Sequence, residues 1–577
     1  MSARPRGAYG ANRALFPMAI AACAVGVWVW LTGQLAALAW RRAWPSVGLA
    51  DTAAVVVRLP GHLRDPRHAW PVAAQAVLPP DLVLVSVGLV LAGGAVTLFF
   101  GSGYLYVRLR ARPAQGLVRL LGRRRRGARW AAGRDLRGLR VRQARSGRLI
   151  IGRCGRALVA TESRHSLLVI GPTQSGKTSA LAVPAILEWH GPVIATSVKG
   201  DLAHATAKWR QRHGPCWVFD PTGTAGSGRS ATWSPLAEAT NWRGAQRVAS
   251  WLVESTPGRS GMADSAFWYA TAAKLLAPLL LAAAAGGRSM ADVVAWNDQG
   301  EFDDPSALLD DAGERDATLA LYACSERDER IRSSVATTLE TVLAPFGDPV
   351  VAAATTTTEI DVTSLLRGGT LYLCGPSYEQ ARLQGLFAAL VSSAVAAAVE
   401  AANARGGPLD PPLLLVLDEA ANIAPIRDLD TLASTGAGLG IQLVTVCQDL
   451  SQFASRYGEQ RSRTIANNHR AKLVLSGVAD LTTLDLVSGL AGEAAIWEES
   501  MTADLRDGRR TRSSSVTYRR LAPADELRRT PPGEGVLVYG HLPAARLRLR
   551  PWFDDRQLAA RSLGAAPSSR ARKTIRA

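Results

Sequence analysis

A phosphate-binding loop stands at Gly171-Pro172-Thr173-Gln174-Ser175-Gly176-Lys177-Thr178, directly after an apolar, strand-like run at 165–170. The pattern is G-x-x-x-x-G-K-[ST]. No other feature constrains the fold as much, because such a loop works only between a strand and a helix. Its glycines let backbone N–H groups turn inward around phosphate oxygens. The N-terminus of the following helix points its positive end at the same anion. Lys177 is then expected to reach the β- and γ-phosphates of ATP, and the Thr178 hydroxyl to hold Mg2+. The plain alternative is a chance match in a glycine-rich chain of 577 residues. The apolar strand before the loop and the Ala/Leu-rich stretch after it weigh against chance.

A second run, Pro412 to Leu417, is continuously apolar and ends in Asp418-Glu419. Such a run reads as a strand buried on both faces of a parallel sheet. Carboxylates at its C-terminal end fall where open α/β sheets place ligands. Asp418 is expected to bind Mg2+, and Glu419 to act as general base on the attacking water. An Asp-Glu pair by itself also caps helices; its place after an apolar strand, in a chain with a phosphate loop, favours the site. A third strand, Ile441 to Cys447, ends in Gln448. Its amide is expected to sense the γ-phosphate or orient the water, against the plain reading of a polar strand end.

The net charge of +19 invites a nucleic-acid reading, so its location matters. Residues 1–135 hold 18 arginines against 4 aspartates, and residues 546–577 hold 9 basic against 2 acidic residues. The segment between them carries about −2. The basic excess thus belongs to membrane flanks and a tail, and the central segment gives little compositional support for DNA binding. Cys23, Cys154, Cys216, Cys324, Cys374 and Cys447 form no C-x-x-C pair and have no histidine cluster, which argues against zinc and disulfide frameworks.

Two segments, about 15–40 and 82–107, are long and apolar enough to span a bilayer. Nine arginines lie between Arg108 and Arg129, which places that side in the cytoplasm. Two spans then return the N-terminus, with Arg4, Arg6 and Arg13, to the same side. The intervening segment 41–80 faces outward although it carries five arginines. A cleaved signal peptide competes for residues 1–40, but the apolar run is long for one. The arginine cluster also suits anionic lipid or DNA near the membrane.

The remaining chain alternates strands and helices, which argues for a parallel sheet covered on both faces. The expected organisation is a membrane anchor at 1–110, a basic juxtamembrane linker at 111–135, and a nucleotide-binding domain at 136–235 and 346–555. An all-α insertion at 236–345 divides that domain, and a basic disordered tail occupies 556–577. Trp251, Phe267 and Trp268, at helical spacing in the insertion, read as core, against the alternative of contact with a substrate. Residues 500–532, polar and rich in Arg and Ser, read as a mobile loop.

In this order the motifs resemble the coupling ATPases of type IV secretion and conjugation, the TraG/TraD group. The likeness covers roughly 14–555. It rests on the two spans, the phosphate loop, Lys199-Gly200-Asp201-Leu202, Phe219-Asp220-Pro221, and Trp233-Ser234-Pro235-Leu236. It continues through Phe267-Trp268 and Leu417-Asp418-Glu419-Ala420-Ala421-Asn422 to Gln448-Asp449-Leu450-Ser451-Gln452 and Tyr457-Gly458-Glu459. The resemblance implies a RecA-like P-loop ATPase domain of the α/β class, with an inserted all-α domain that contributes to substrate recognition. It implies a membrane-anchored homo-hexamer that uses ATP and Mg2+ to pass relaxase-bound DNA to the secretion channel. One departure stands out. Some members carry a basic residue about twenty positions after the Asp-Glu pair, where this chain reads Thr435-Gly436-Ala437-Gly438-Leu439-Gly440. Arg456, Arg461, Arg463 and Arg470 are the substitutes considered for an arginine finger. The competing functions are a duplex-DNA pump of the FtsK/SpoIIIE type and a receptor that binds ATP without hydrolysing it. An ABC transporter fits less well, since Leu475-Ser476-Gly477 follows the carboxylate strand, whereas that family's signature loop precedes it.

Overall fold

The computed structural model describes residues 12–111, 127–223, 226, 228–256, 265–503 and 510–565. The chain divides into two units, residues 1–125 and 126–577. Residues 1–11, the linker segment 112–126 with its arginine cluster, and the tail 566–577 lie outside the described residues.

The first unit is built on two long helices, Asn12–Arg41 and Asp81–Ala111. Their segments Ala21–Arg41 and Asp81–Leu105 are apolar and long enough to cross a membrane. Leu82, Val90, Leu98, Phe99 and Phe100 are exposed along the second helix, as a lipid-facing surface requires. Residues 41–80 contain short helices, among them Leu49–Arg58 and Val72–Gln75. Two of the five arginines there are tied to backbone carbonyls: Arg41 Nη1 donates to Ala76 O at 3.0 Å, and Arg67 Nε to Gln75 O at 2.7 Å. Trp70 is buried against the first helix, where a Cβ on Gly33 would fall 2.0 Å from the indole.

Among the described residues, the second unit has fourteen strands: β1 (Arg140–Val141), β2 (Ile150–Cys154), β3 (Ala157–Ala160), β4 (Leu167–Ile170), β5 (Val193–Ser197), β6 (Cys216–Phe219), β7 (Thr370–Cys374), β8 (Leu413–Leu417), β9 (Ile441–Cys447), β10 (Ala471–Leu475), β11 (Glu493–Ala503), β12 (Arg510–Arg520), β13 (Glu534–Tyr539) and β14 (Ala545–Arg548). Twelve form one sheet in the order β1-β3-β2-β14-β13-β10-β4-β9-β8-β5-β7-β6. From β10 to β6 every neighbouring pair is parallel, and from β13 to β1 every pair is antiparallel. β4, β5, β7, β8, β9 and β10 are buried at every residue, as strands covered on both faces must be. Alternate residues feed two cores. Leu414 and Val416 pack with the helix Val183–Glu188, and Leu413, Leu415 and Leu417 with the helices Gln380–Arg405 and Leu429–Leu439.

Between β6 and β7 the described chain is helical. Ser265–Ala285 is the central helix of this insertion, with Leu275, Leu276, Leu279, Leu280 and Leu281 buried. This helix and Gln380–Arg405 are apolar enough to span a membrane, yet both pack largely inside the unit. The helices continue past 345 to Val362–Leu366. Trp251 and Trp268 pack partly against the core, but Phe267 is 59% exposed and is not a core residue.

Two further expectations are corrected. Within 500–532, β11 and β12 form a long antiparallel hairpin, followed by the helix Ala524–Arg528; residues 504–509 lie outside the described residues. Cross-strand pairing carries this polar hairpin: Arg519 Nη2 donates to Glu498 Oε1 at 2.6 Å, and Thr517 Oγ1 to Glu498 Oε2 at 3.3 Å. The expected tail begins instead with the helix Arg556–Ser562. That helix buries Leu558, and Arg561 Nη1 donates to Leu187 O at 3.0 Å.

Candidate active site

The C-terminal ends of β4, β9, β8 and β5 lie side by side and carry the site. Gly171 continues the β4–β9 ladder, its N–H donating to Cys447 O at 3.1 Å. A Cβ on Gly171 would fall 2.6 Å from Ser175 Oγ and 2.9 Å from Leu475 Cβ, so the loop's first position admits only glycine. Gln174 (φ 63°) and Gly176 (φ 90°) take left-handed backbone, which turns successive N–H groups toward one side. Thr173 and Gln174 are exposed at the tip, and Ser175 Oγ closes the turn on Pro172 O at 2.8 Å. Lys177 reaches back across the loop, donating to Gly171 O at 2.6 Å and Pro172 O at 2.8 Å. Burial pushes its ammonium pKa down, and the carboxylates of Asp418 and Glu419 oppose that shift. The helix opens with a π-type turn, Thr178–Ala182. Pro184, which has no N–H to give Ala180 O, accounts for the widening.

Asp418 sits at the tip of β8, 8% exposed. Its Oδ2 accepts from Thr178 Oγ1 at 3.2 Å, and its carbonyl from Thr196 Oγ1 at 2.8 Å. Burial first, and the nearby charge of Asp201 second, push its pKa up to about 6 against the pull of Thr178 and Lys177. Asp201 belongs to Lys199-Gly200-Asp201-Leu202, a motif whose residues carry no role legible in the sequence. Its Oδ1 accepts from Ser197 Oγ at 2.6 Å and Leu202 N at 2.9 Å, which fixes the carboxylate one strand away from Asp418.

Glu419 has left-handed backbone (φ 52°), an uncommon and costly conformation for a residue with a side chain. Ala420 N donates to Val446 O at 3.2 Å, Asn422 N to Glu419 O at 2.8 Å, and Asn422 Nδ2 to Glu419 Oε2 at 3.4 Å. The turn is thereby held with the half-buried carboxylate at the strand end. Gln448 directly follows β9, which lies between the phosphate-loop strand and the carboxylate strand. Its N–H donates to Gln452 Oε1 at 3.2 Å, and Asp449 caps the next helix through Gln452 N at 2.9 Å.

The four arginines differ. Arg456 donates to Ser255 O at 2.7 Å, and Arg461 to Asp430 Oδ1 at 2.7 Å. Arg470 precedes β10, at the end of the parallel strands opposite the site. Arg463 is 78% exposed beside Glu459.

The cradle fits a nucleotide with its magnesium. Among the described residues, no group of three or more His, Cys, Asp and Glu side chains would hold a metal by itself. A hydroxyl and one carboxylate beside a phosphate loop are what Mg2+ uses when phosphates complete its shell.

A family profile described as type IV secretory system conjugative DNA transfer matches residues 134–574. The chain is 29% identical over 467 residues to conjugal transfer protein TraG of Escherichia coli, covering 70% of each. Its structure is similar to bacterial conjugative coupling protein TrwBdeltaN70, with TM-score 0.58, 21% identity, and 74% of this chain and 93% of that one covered. It is also similar to plasmid coupling protein TrwB in complex with ADP and Mg2+, with TM-score 0.56, 22% identity, and 75% and 96% covered. These likenesses establish the RecA-like fold.

Proposed function

The chain belongs to the type IV secretory system conjugative DNA transfer family, and from that premise we propose that it is a membrane-anchored ATPase that delivers relaxase-bound single-stranded DNA to the transfer channel. The observation that carries the ATPase reading is the contact of Thr178 Oγ1 with Asp418 Oδ2, with Lys177 inside the loop and Glu419 at the same strand end. Gly171, Pro172, Thr173, Gln174, Ser175 and Gly176 wrap the phosphates. Lys177 exchanges its two carbonyl partners for β- and γ-phosphate oxygens. Thr178 and Asp418 would hold Mg2+, which would offset the phosphate charge when bound. Glu419 takes the proton of the attacking water, and Gln448 orients that water against the γ-phosphate. Arg463, exposed on the helix Glu459–Asn468, suits an arginine finger offered to a neighbouring subunit of a homo-hexamer. The nine arginines between Arg108 and Arg129 support a two-span anchor with the ATPase unit in the cytoplasm.

The test is ATP hydrolysis by the full chain in nanodiscs, with single-stranded or duplex DNA added. Single strands are expected to stimulate. Lys177→Ala weakens nucleotide binding. Glu419→Gln keeps binding and slows turnover by about a hundredfold or more, as the loss of a general base does. Wild-type turnover in Glu419→Gln would sink its assigned role, and preferential stimulation by duplex would point to a duplex pump.

A further inference from the structure

The phosphate loop follows β4, and the groups that meet the terminal phosphate lie on one side of it. β9 with Gln448 is the neighbouring strand, and β8 with Asp418 and Glu419 comes next. A triphosphate whose γ end faces those groups sends its nucleoside the other way, toward β10, β13 and β14. On that side the chain leaves β14 and crosses back over the loop. Leu549 Cδ1 lies 3.7 Å from where a Cβ on Gly176 would stand. The N–H of Trp552 donates at 3.0 Å to the carbonyl of Ser179, the residue after Thr178. Trp552 is half-buried and packs into the core below. Its ring meets that of Phe553 edge to face, with centroids 5.8 Å and planes 75° apart. Phe553 is 58% exposed. A large aromatic side chain is thus anchored beside the phosphate loop and left open to solvent.

We propose that the 549–553 segment is the nucleoside subsite and that Phe553 stacks on the base of the bound nucleotide. The proposal rests on the reading of Gly171 to Thr178 as a triphosphate site. Stacking uses the π-face that every base has, so the subsite accepts adenine and guanine alike. The segment also ties the nucleoside to β14 and the helix Arg556–Ser562.

Calorimetric titration of the full chain in nanodiscs, with Mg2+ and either ATP, GTP or inorganic tripolyphosphate, tests it. Phe553→Ala is expected to weaken ATP and GTP alike by about tenfold, within the range of one lost stacking contact. Tripolyphosphate, which has no base, keeps its affinity and shows that the loop is intact. Phe553→Trp restores nucleotide affinity. Unchanged ATP binding in Phe553→Ala overturns the proposal, as does an equal loss for tripolyphosphate. Lys177→Ala separates the two levels: retained tripolyphosphate binding there strikes the phosphate-loop reading itself, whereas its loss leaves that reading standing whatever Phe553 does.

Discussion

His469 sets an acid limit on the ATPase unit that can be worked from its surroundings. It follows the helix Glu459–Asn468 and is fully buried. Its Nδ1 donates to Ile465 O at 2.8 Å, so its Nε2 accepts from the Thr445 hydroxyl at 2.8 Å. The neutral ring has both partners, and a proton would place an unpaired charge in the core. Burial accordingly pushes its pKa down to about 4 from 6.5. The unfolded chain binds this proton first, so the stabilisation is complete above pH 6.5 and is lost as the pH falls toward 4. Between pH 7.5 and pH 5 the loss is about 2 kcal/mol. His165 and His190 are pushed down by burial too and add losses of the same sign. The decisive quantity is therefore the difference between wild type and His469→Gln, whose amide can meet the same two partners without titrating. Urea pulse proteolysis of the detergent-solubilised chain at both pH values measures it. His469→Gln should recover about 2 kcal/mol relative to wild type on going to pH 5. A parallel pH dependence in the two proteins would refute the buried neutral histidine.

Three further outcomes follow from particular contacts. Gly171→Ala should cost about 1–3 kcal/mol of stability and lower nucleotide affinity at least about tenfold, because its Cβ collides with Ser175 and Leu475 and displaces the loop; titration calorimetry and melting of the variant read both. Arg210 is fully buried and donates to Thr370 Oγ1, Trp189 O and Gly191 O. Arg210→Met should cost about 2–4 kcal/mol in urea unfolding by leaving these acceptors without donors, and Arg210→Lys should not recover it, lacking the planar fork. Glu254, at the end of the first insertion helix, pairs with Arg427, which follows the Glu419 turn and is 52% exposed. Glu254→Ala should change stability by less than about 1 kcal/mol, yet reduce the stimulation of hydrolysis by single-stranded DNA relative to the basal rate; an unchanged ratio would show that this contact carries no coupling.

Local features of the sequence sufficed for the parts of the protein set by short-range chemistry. Glycine and lysine spacing marked the loop at 171–178, and unbroken apolar runs marked β8 and β9. Length and hydropathy marked the two N-terminal helices. These features are readable because each is complete within a few residues. The β11–β12 hairpin escaped because its stability comes from pairs across two polar strands, Glu498 with Arg519 among them, and no apolar alternation betrays it. Phe267 reads as core in the sequence because helical spacing records a face and not what covers it.

The sequence alone determined the glycine and lysine pattern of the loop at 171–178, two carboxylates at a strand end and apolar helices of membrane length. Tertiary structure alone decided how these groups meet. It set β9 between β4 and β8, so that Gln448 stands between the loop and the carboxylates. It brought Asp201, the first residue of the helix after β5, close to Asp418, and it drew residues 549–553 back over a loop nearly four hundred positions earlier. Strand order is a property of how a sheet closes over two cores, and residues distant in sequence become neighbours only through it.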